Sequence, residues 1–154
     1  MEYHIRAMED RDIEYVSQIE KEIFSLPWSG QSFADAAGNP DNVYLVCECT
    51  GEIAGYCGMW TVMGEGNITN VAVHSAYRRR GVAEALLTEL EKRAKEKGVT
   101  VFFLEVRQSN EAAKKLYEKL GYSSIGTRKR FYEKPVEDAI VMSKIIAVSY
   151  THLT

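Results

Sequence analysis

The chain has 154 residues, 45% of them hydrophobic and 27% charged, which suits a folded domain with a buried core and excludes disordered and fibrous classes. A formal net charge of −3 gives no bulk argument for nucleic-acid binding, so the basic clusters at Arg78, Arg79 and Arg80 and at residues 128–130 must be judged by position. No apolar run reaches the ~18–20 residues of a membrane span, and the first residues lack a basic-then-apolar secretion signal. A cytoplasmic protein without membrane or nucleic-acid partners is expected.

The elements follow in chain order. Residues 3–7 read as a short strand. Asp12 then precedes Ile13, Val16, Ile19, Glu20, Ile23 and Phe24, a mostly apolar stripe at helical spacing that should end near Phe24, ahead of Pro27. Ser29 is a good N-cap for a second short helix running to Ala37, stopped by Gly38 and Pro40. Strands are expected at 43–49 and 53–60, flanking the turn Thr50-Gly51-Glu52, and at 68–73 after Met63-Gly64-Glu65-Gly66. Cys47, Cys49 and Cys57 have neither a nearby histidine nor a second cysteine pair, so they read as reduced thiols packed as small hydrophobes, with no metal site.

A long helix over 81–97 carries Val82, Leu86, Leu90 and Ala94 on one face and closes at Gly98. Residues 99–106 are apolar almost throughout, as for a strand covered on both faces. A helix from Asn110 to Leu120, ended by Gly121, and strands around 122–132 and 139–146 complete a single domain over 1–146. Residues 147–154 follow no pattern and are expected to be a tail. The alternation calls for an α/β layered domain with a mixed sheet.

Arg78-Arg79-Arg80-Gly81-Val82-Ala83 lies where the strand ending at Val73 passes into the long helix. A helix N-terminus presents unpaired N–H groups and the positive end of the dipole. Arginines there oppose that dipole unless an anion sits among them. The turn therefore predicts a phosphate-type site, with Gly81 letting ligand atoms approach the backbone and Ala83 keeping the first turn narrow.

With its Val-Ala-Val-His approach, this turn resembles motif A of the GNAT acetyltransferases, where the same backbone amides hold the pyrophosphate of acetyl-CoA. The resemblance spans about residues 5–144. It implies the GNAT fold, a mixed, mostly antiparallel sheet of about seven strands flanked by about four helices. It also implies a bulge or splay in the strand before the turn, and backbone groups of Val71, Ala72 and Val73 facing the thioester and pantetheine arm. Ala83 stands where many members have Gly, a variant the pattern allows. Glu20…Phe24…Pro27-Trp28-Ser29, Leu104-Glu105-Val106-Arg107-Gln108-Ser109-Asn110 and Leu116-Tyr117…Gly121-Tyr122 are similar to segments of the bacterial ribosomal-protein-alanine N-acetyltransferases. Those enzymes acetylate the N-terminal alanine of the eighteenth small-subunit ribosomal protein, so the resemblance implies a ribosomal-protein N-terminal peptide as acceptor. A GNAT acetylating another protein N-terminus or a small-molecule amine, and a non-catalytic acetyl-CoA-binding module, are the competing readings.

The residues themselves set out the chemistry. Acyl transfer needs a neutral amine, and an α-amine is roughly 15% neutral at pH 7 against about 0.04% for lysine. Glu105, the one acid in 99–106, is the candidate base; its alternative is a structural acid paired with Arg107, two positions on along the same strand face, or with another cation. Tyr117 is the candidate acid for the departing thiolate, or else a Tyr packed between helix and sheet. Asn110 would hold the pantetheine arm, cap its helix, or both. Phe24, Trp28 and Tyr132 would line the peptide groove or serve as core and rim. His74 reads as part of the turn.

Overall fold

The computed structural model describes residues 2–146; the expected tail at 147–154 lies outside the described residues. Its elements are β1 (His4–Ala7), α1 (Ile13–Ile23), α2 (Gly30–Gly38), β2 (Val43–Cys49), β3 (Glu52–Val62), β4 (Glu65–Val73), α3 (Val82–Glu96), β5 (Val101–Arg107), α4 (Glu111–Lys119), β6 (Ser123–Glu133) and β7 (Val136–Ile145). The strands form one seven-stranded sheet in the order β1-β2-β3-β4-β5-β7-β6. Every pairing is antiparallel except β4–β5. The expected fold class, a mixed and mostly antiparallel sheet with four helices, is what the chain adopts.

Local chemistry explains most boundaries. Phe24 turns extended after α1, and the Ser29 hydroxyl caps α2 by accepting the Ser32 N–H at 3.1 Å. Strands β3 and β4 run longer than expected, because Met63 and Gly64 make a tight turn with both residues at positive φ (48° and 83°). That geometry belongs to short hairpins. Methionine does not advertise it, so the sequence placed the strand ends too far from the turn.

The sheet has helices on both faces. Helices α3 and α4 cover Leu45, Cys47, Cys57, Phe102 and Leu104, and Leu86, Leu87 and Leu90 are fully buried there, each contributing about 2 kcal/mol by leaving water. All three cysteines are buried free thiols, and burial pushes Cys47 up to about 11. Helices α1 and α2 cover Tyr44, Val46, Tyr56 and Ala72 on the other face. A Cβ on Gly55 would lie 2.7 Å from the Ala72 carbonyl oxygen and 3.2 Å from Val82 Cγ1, so its absence lets the first turn of α3 settle on the sheet.

Strand β5 departs from expectation. Phe102, Leu104 and Val106 are buried, but Phe103, Glu105 and Arg107 alternate with them and are only half-buried. The α1–α2 layer packs on β2, β3 and β4, which leaves that side of β5 open. Two irregularities open the sheet at the same place. Pairing of β4 with β5 is confined to Glu65–Asn67 against Val101–Phe103, after which the strands diverge. The register of β3 on β4 shifts between Gly58 and Met59, so that Thr69 is an extra residue in β4. The bulge and splay implied by the family resemblance are both present.

Candidate active site

The loop after β4 enters α3 through a short 3-10 turn, Ser75–Tyr77, whose first amides are tied down when His74 Nδ1 accepts the Ala76 N–H at 3.1 Å. His74 is thus part of the turn, as read from the sequence. Arg79 (φ 65°) and Gly81 (φ 76°) are both left-handed and both line one concavity, a backbone form suited to anions. Nothing lies within 4 Å of a Cβ built on Gly81, so its requirement is the backbone angle. A recess of about 160 Å³ there is lined by Val73, Tyr77, Arg78, Arg79, Gly81, Val82 and Ala83, among others. The cradle of backbone amides and exposed arginines fits a pyrophosphate. The Val82 side chain is buried, so only its backbone can serve a ligand. Arg80 lies over the Tyr77 ring, 6.0 Å from its centroid, and does not line the recess. Ala72 packs into the α1–α2 core and lines neither this recess nor the main cavity.

The splay between β4 and β5 opens into a cavity of about 600 Å³ that brings together Glu105, Tyr117, Asn110, Val71, Phe24, Trp28 and Tyr132. Glu105 projects from the open face of β5 with its side chain 29% exposed, 3.7 Å from the Arg128 guanidinium. Of the partners the structural-acid alternative offered, Arg107 does not pair with Glu105, whereas another cation, Arg128, does. Arg107 sits at the end of β5 and reaches outward instead, donating to Glu137 at 3.1 Å and to the carbonyls of Pro135 and Lys134 at 3.0 and 3.2 Å. Its guanidinium stacks 4.3 Å from the centroid of Tyr132. Glu137 also accepts the Ser109 N–H at 2.6 Å, and the Ser109 side chain and N–H together hold its carboxyl below the usual range. The Arg-x-Ser part of the Leu-Glu-Val-Arg-x-Ser-Asn run is therefore a staple that fixes the β6–β7 hairpin against β5.

Tyr117 rises from α4, on the opposite side of the sheet from Glu105, and is 8% exposed. Burial pushes its hydroxyl well above the usual tyrosine value, so it stays protonated. Asn110 Oδ1 accepts the Ala113 N–H at 3.1 Å and also borders the cavity, so capping and ligand contact are compatible. Trp28 packs on Phe33 at 5.2 Å and on Trp60 at 6.4 Å, and Phe24 is 37% exposed. Burial, with Glu105 nearby, pushes the Tyr132 hydroxyl up to about 12.

Sequence reading missed Glu20 as a site residue. This buried carboxylate accepts the Tyr56 hydroxyl at 2.7 Å and the Trp28 N–H at 3.0 Å, pinning the 24–29 loop at the cavity wall. The available signal was an acid inside an apolar helical stripe. The Ser25 hydroxyl donates across the cavity mouth to the Lys134 carbonyl. The basic cluster at 128–130 lies on the exposed edge strand β6, where charge also discourages edge-to-edge pairing. Among the described residues, no group of His, Cys, Asp or Glu is arranged to hold a metal, and no helix is long and apolar enough to cross a membrane.

A left-handed turn at a helix start lies beside a wedge in a mixed sheet, with a carboxylate and a buried tyrosine on opposite faces, an arrangement suited to acyl transfer. The profile of the acetyltransferase (GNAT) family matches residues 13–122, and the chain belongs to that family. Among named relatives, a Bacillus subtilis (strain 168) protein provisionally named a ribosomal protein bS18-alanine N-acetyltransferase is 41% identical over 139 residues, 90% of this chain and 92% of that one. The Escherichia coli (strain K12) ribosomal protein bS18-alanine N-acetyltransferase is 34% identical over 148 residues, 94% and 98% of the two chains. A crystal structure of the ribosomal-protein-S18-alanine N-acetyltransferase from Escherichia coli superimposes with a TM-score of 0.88 at 31% identity, covering 96% of each chain. The fold is also that of Arabidopsis thaliana NAA60 in complex with acetyl-CoA, with a TM-score of 0.87 at 20% identity over 94% and 99% of the chains.

Proposed function

We propose that this enzyme transfers the acetyl group of acetyl-CoA to the N-terminal alanine α-amine of ribosomal protein bS18, in the cytoplasm. The observation that carries the reading is the splay itself, which opens one cavity to both faces of the sheet, with Glu105 on one side and Tyr117 on the other. Relatives named for this acceptor, matched over nine-tenths or more of the chain, support this choice of acceptor.

Acetyl-CoA supplies the acyl group as a thioester. The amides of Arg79, Gly81, Val82 and Ala83 and the flanking Arg78 hold its pyrophosphate, and Val71 and Val73 present backbone groups to the pantetheine and acetyl ends. Asn110 borders the same arm. The acceptor enters from the opposite face between Phe24, Trp28 and Tyr132. There Glu105 accepts a proton from the amine as its nitrogen bonds the acetyl carbon, and Tyr117 donates a proton to the sulfur as the C–S bond breaks. Because about 15% of an α-amine is already neutral at pH 7, a carboxylate suffices as base. Displacement of Arg128, whose side chain is 59% exposed, frees Glu105 at small cost.

The test is an acetylation assay with acetyl-CoA and a peptide beginning with alanine, the same peptide with a blocked N-terminus, and a free polyamine. The expected result is one acetyl group on the free-amine peptide alone. Acetylation of the polyamine but not the peptide overturns the acceptor assignment, and acetyl-CoA binding without turnover overturns the enzymatic one.

A further inference from the structure

The side of β5 that α1 and α2 leave open carries more than Glu105. Cross-strand pairing sets Trp60, Asn67, Phe103 and Ser143 in one row across β3, β4, β5 and β7. Val62, Glu65, Val101 and Ile145 form the next row. Residues two apart on a strand share a face, so both rows lie on the face of Glu105 and begin one step from it. Trp60, Val62 and Ile145 are 47%, 57% and 79% exposed, and Phe103 and Val101 are half-buried. Glu65 is the one charged residue in the two rows. Contiguous apolar side chains left in water mark an interaction surface.

This platform continues the proposed acceptor cavity. The Trp60 ring lies 6.4 Å from that of Trp28, which lines the cavity. Towards the C-terminal end of β5 the cavity is bridged, by the Ser25 hydroxyl donating to the Lys134 carbonyl and by Arg107 donating to the carbonyls of Lys134 and Pro135. A chain whose amine sits at Glu105 therefore has its open path in the other direction, over Phe103 and Val101. We propose that this face docks the acceptor beyond its first residue, as an extended segment with apolar side chains at its third and fifth positions, and that Trp60 determines specificity there. The inference rests on the peptide-acceptor reading above. An extended chain advances about 7 Å every two residues, the same step as the strand beneath it. The third residue is thus level with the row of Trp60 and Phe103, and the fifth with the row of Val62, Val101 and Ile145. Alternate side chains share one side, so both face the sheet. Apolar side chains there take the Trp60 ring out of water, and serine does not.

Three alanine-first peptides test this: a two-residue amide, an eight-residue peptide with leucine at positions three and five and serine at the rest, and its counterpart with serine at those two positions as well. Wild-type enzyme is expected to use the leucine peptide with kcat/KM about tenfold above the other two. In Trp60→Ala that preference should fall to about twofold. Ile145→Ser changes a residue too exposed for folding to depend on it, and should lower the preference about threefold. A wild-type preference near one, a preference that Trp60→Ala leaves intact, or an equal loss on all three peptides overturns the proposal. So does sedimentation of the wild type as a dimer that Ile145→Ser dissociates, since a second copy then covers the face. A wild-type enzyme inert towards all three peptides overturns the acceptor assignment itself, and this inference with it.

Discussion

The proposed cofactor face of the splay is built from consecutive residues, whereas the proposed acceptor face is assembled from distant ones. Arg78 through Ala83 follow one another, and the site is made by their own backbone angles, φ 65° at Arg79 and 76° at Gly81. The acceptor face joins Glu20 to Trp28, Ser25 to Lys134 across 109 positions, and Arg107 to Glu137 across 30. A site made by backbone geometry leaves a local signature, and one made by side chains meeting from remote segments does not. The same difference makes the two faces separable by mutation.

The largest effects are expected where the faces meet. Glu105→Gln should lower kcat/KM about 10²- to 10⁴-fold in a steady-state acetylation assay while leaving acetyl-CoA binding unchanged, because it removes the proton acceptor and keeps the shape. Tyr117→Phe should lower kcat about 100-fold with little change in KM. Since burial raises the Tyr117 hydroxyl, wild-type activity should show no alkaline loss from this group near pH 10, where an ordinary tyrosine titrates. Smaller effects divide the faces. Gly81→Ala forces a side chain into a left-handed conformation, and calorimetry should find acetyl-CoA bound about tenfold more weakly while the peptide KM holds. Arg107→Ala removes the staple on the β6–β7 hairpin, so peptide KM should rise about tenfold while acetyl-CoA affinity holds.

The smallest effect lies away from both faces. Burial alone would raise the Asp12 carboxyl, but two Arg6 hydrogen bonds, 2.7 and 2.8 Å, and the Glu9 N–H outweigh it and hold the group below its usual range. A folded value lower than the unfolded one stabilises fully above the unfolded value of about 3.9, and that contribution is lost as pH falls through the folded value. Thermal melts across that interval should decline in the wild type and decline less in Asp12→Asn, with no selective effect on either substrate at neutral pH.

Much of the fold was legible because its signals are short-range: Ser29 before α2, the stripe of α3, Gly98 and Gly121 at helix ends. The break at Met63-Gly64-Glu65-Gly66 was placed correctly but read as too long, since nothing about methionine announces positive φ. The cofactor turn could be read from its arginines and glycine as an anion site, although the exclusion of Arg80 and Ala72 from the recess depends on three-dimensional packing. On the acceptor side the residue types were visible but their partners were not. Glu105 and Arg107 share a strand face, and yet Arg107 is drawn away by the hairpin carbonyls while Arg128 arrives from another strand. Glu20 acquires meaning only when α1 brings it to the cavity wall beside Trp28.

The central claim is that donor and acceptor occupy opposite faces of one opening. Its most direct test is the dissociation constant of CoA alone and of a CoA–alanine-peptide conjugate, measured on Trp28→Ala. The account predicts that the conjugate loses affinity while CoA alone binds as it does to the wild type. A parallel loss of affinity for CoA alone would contradict it.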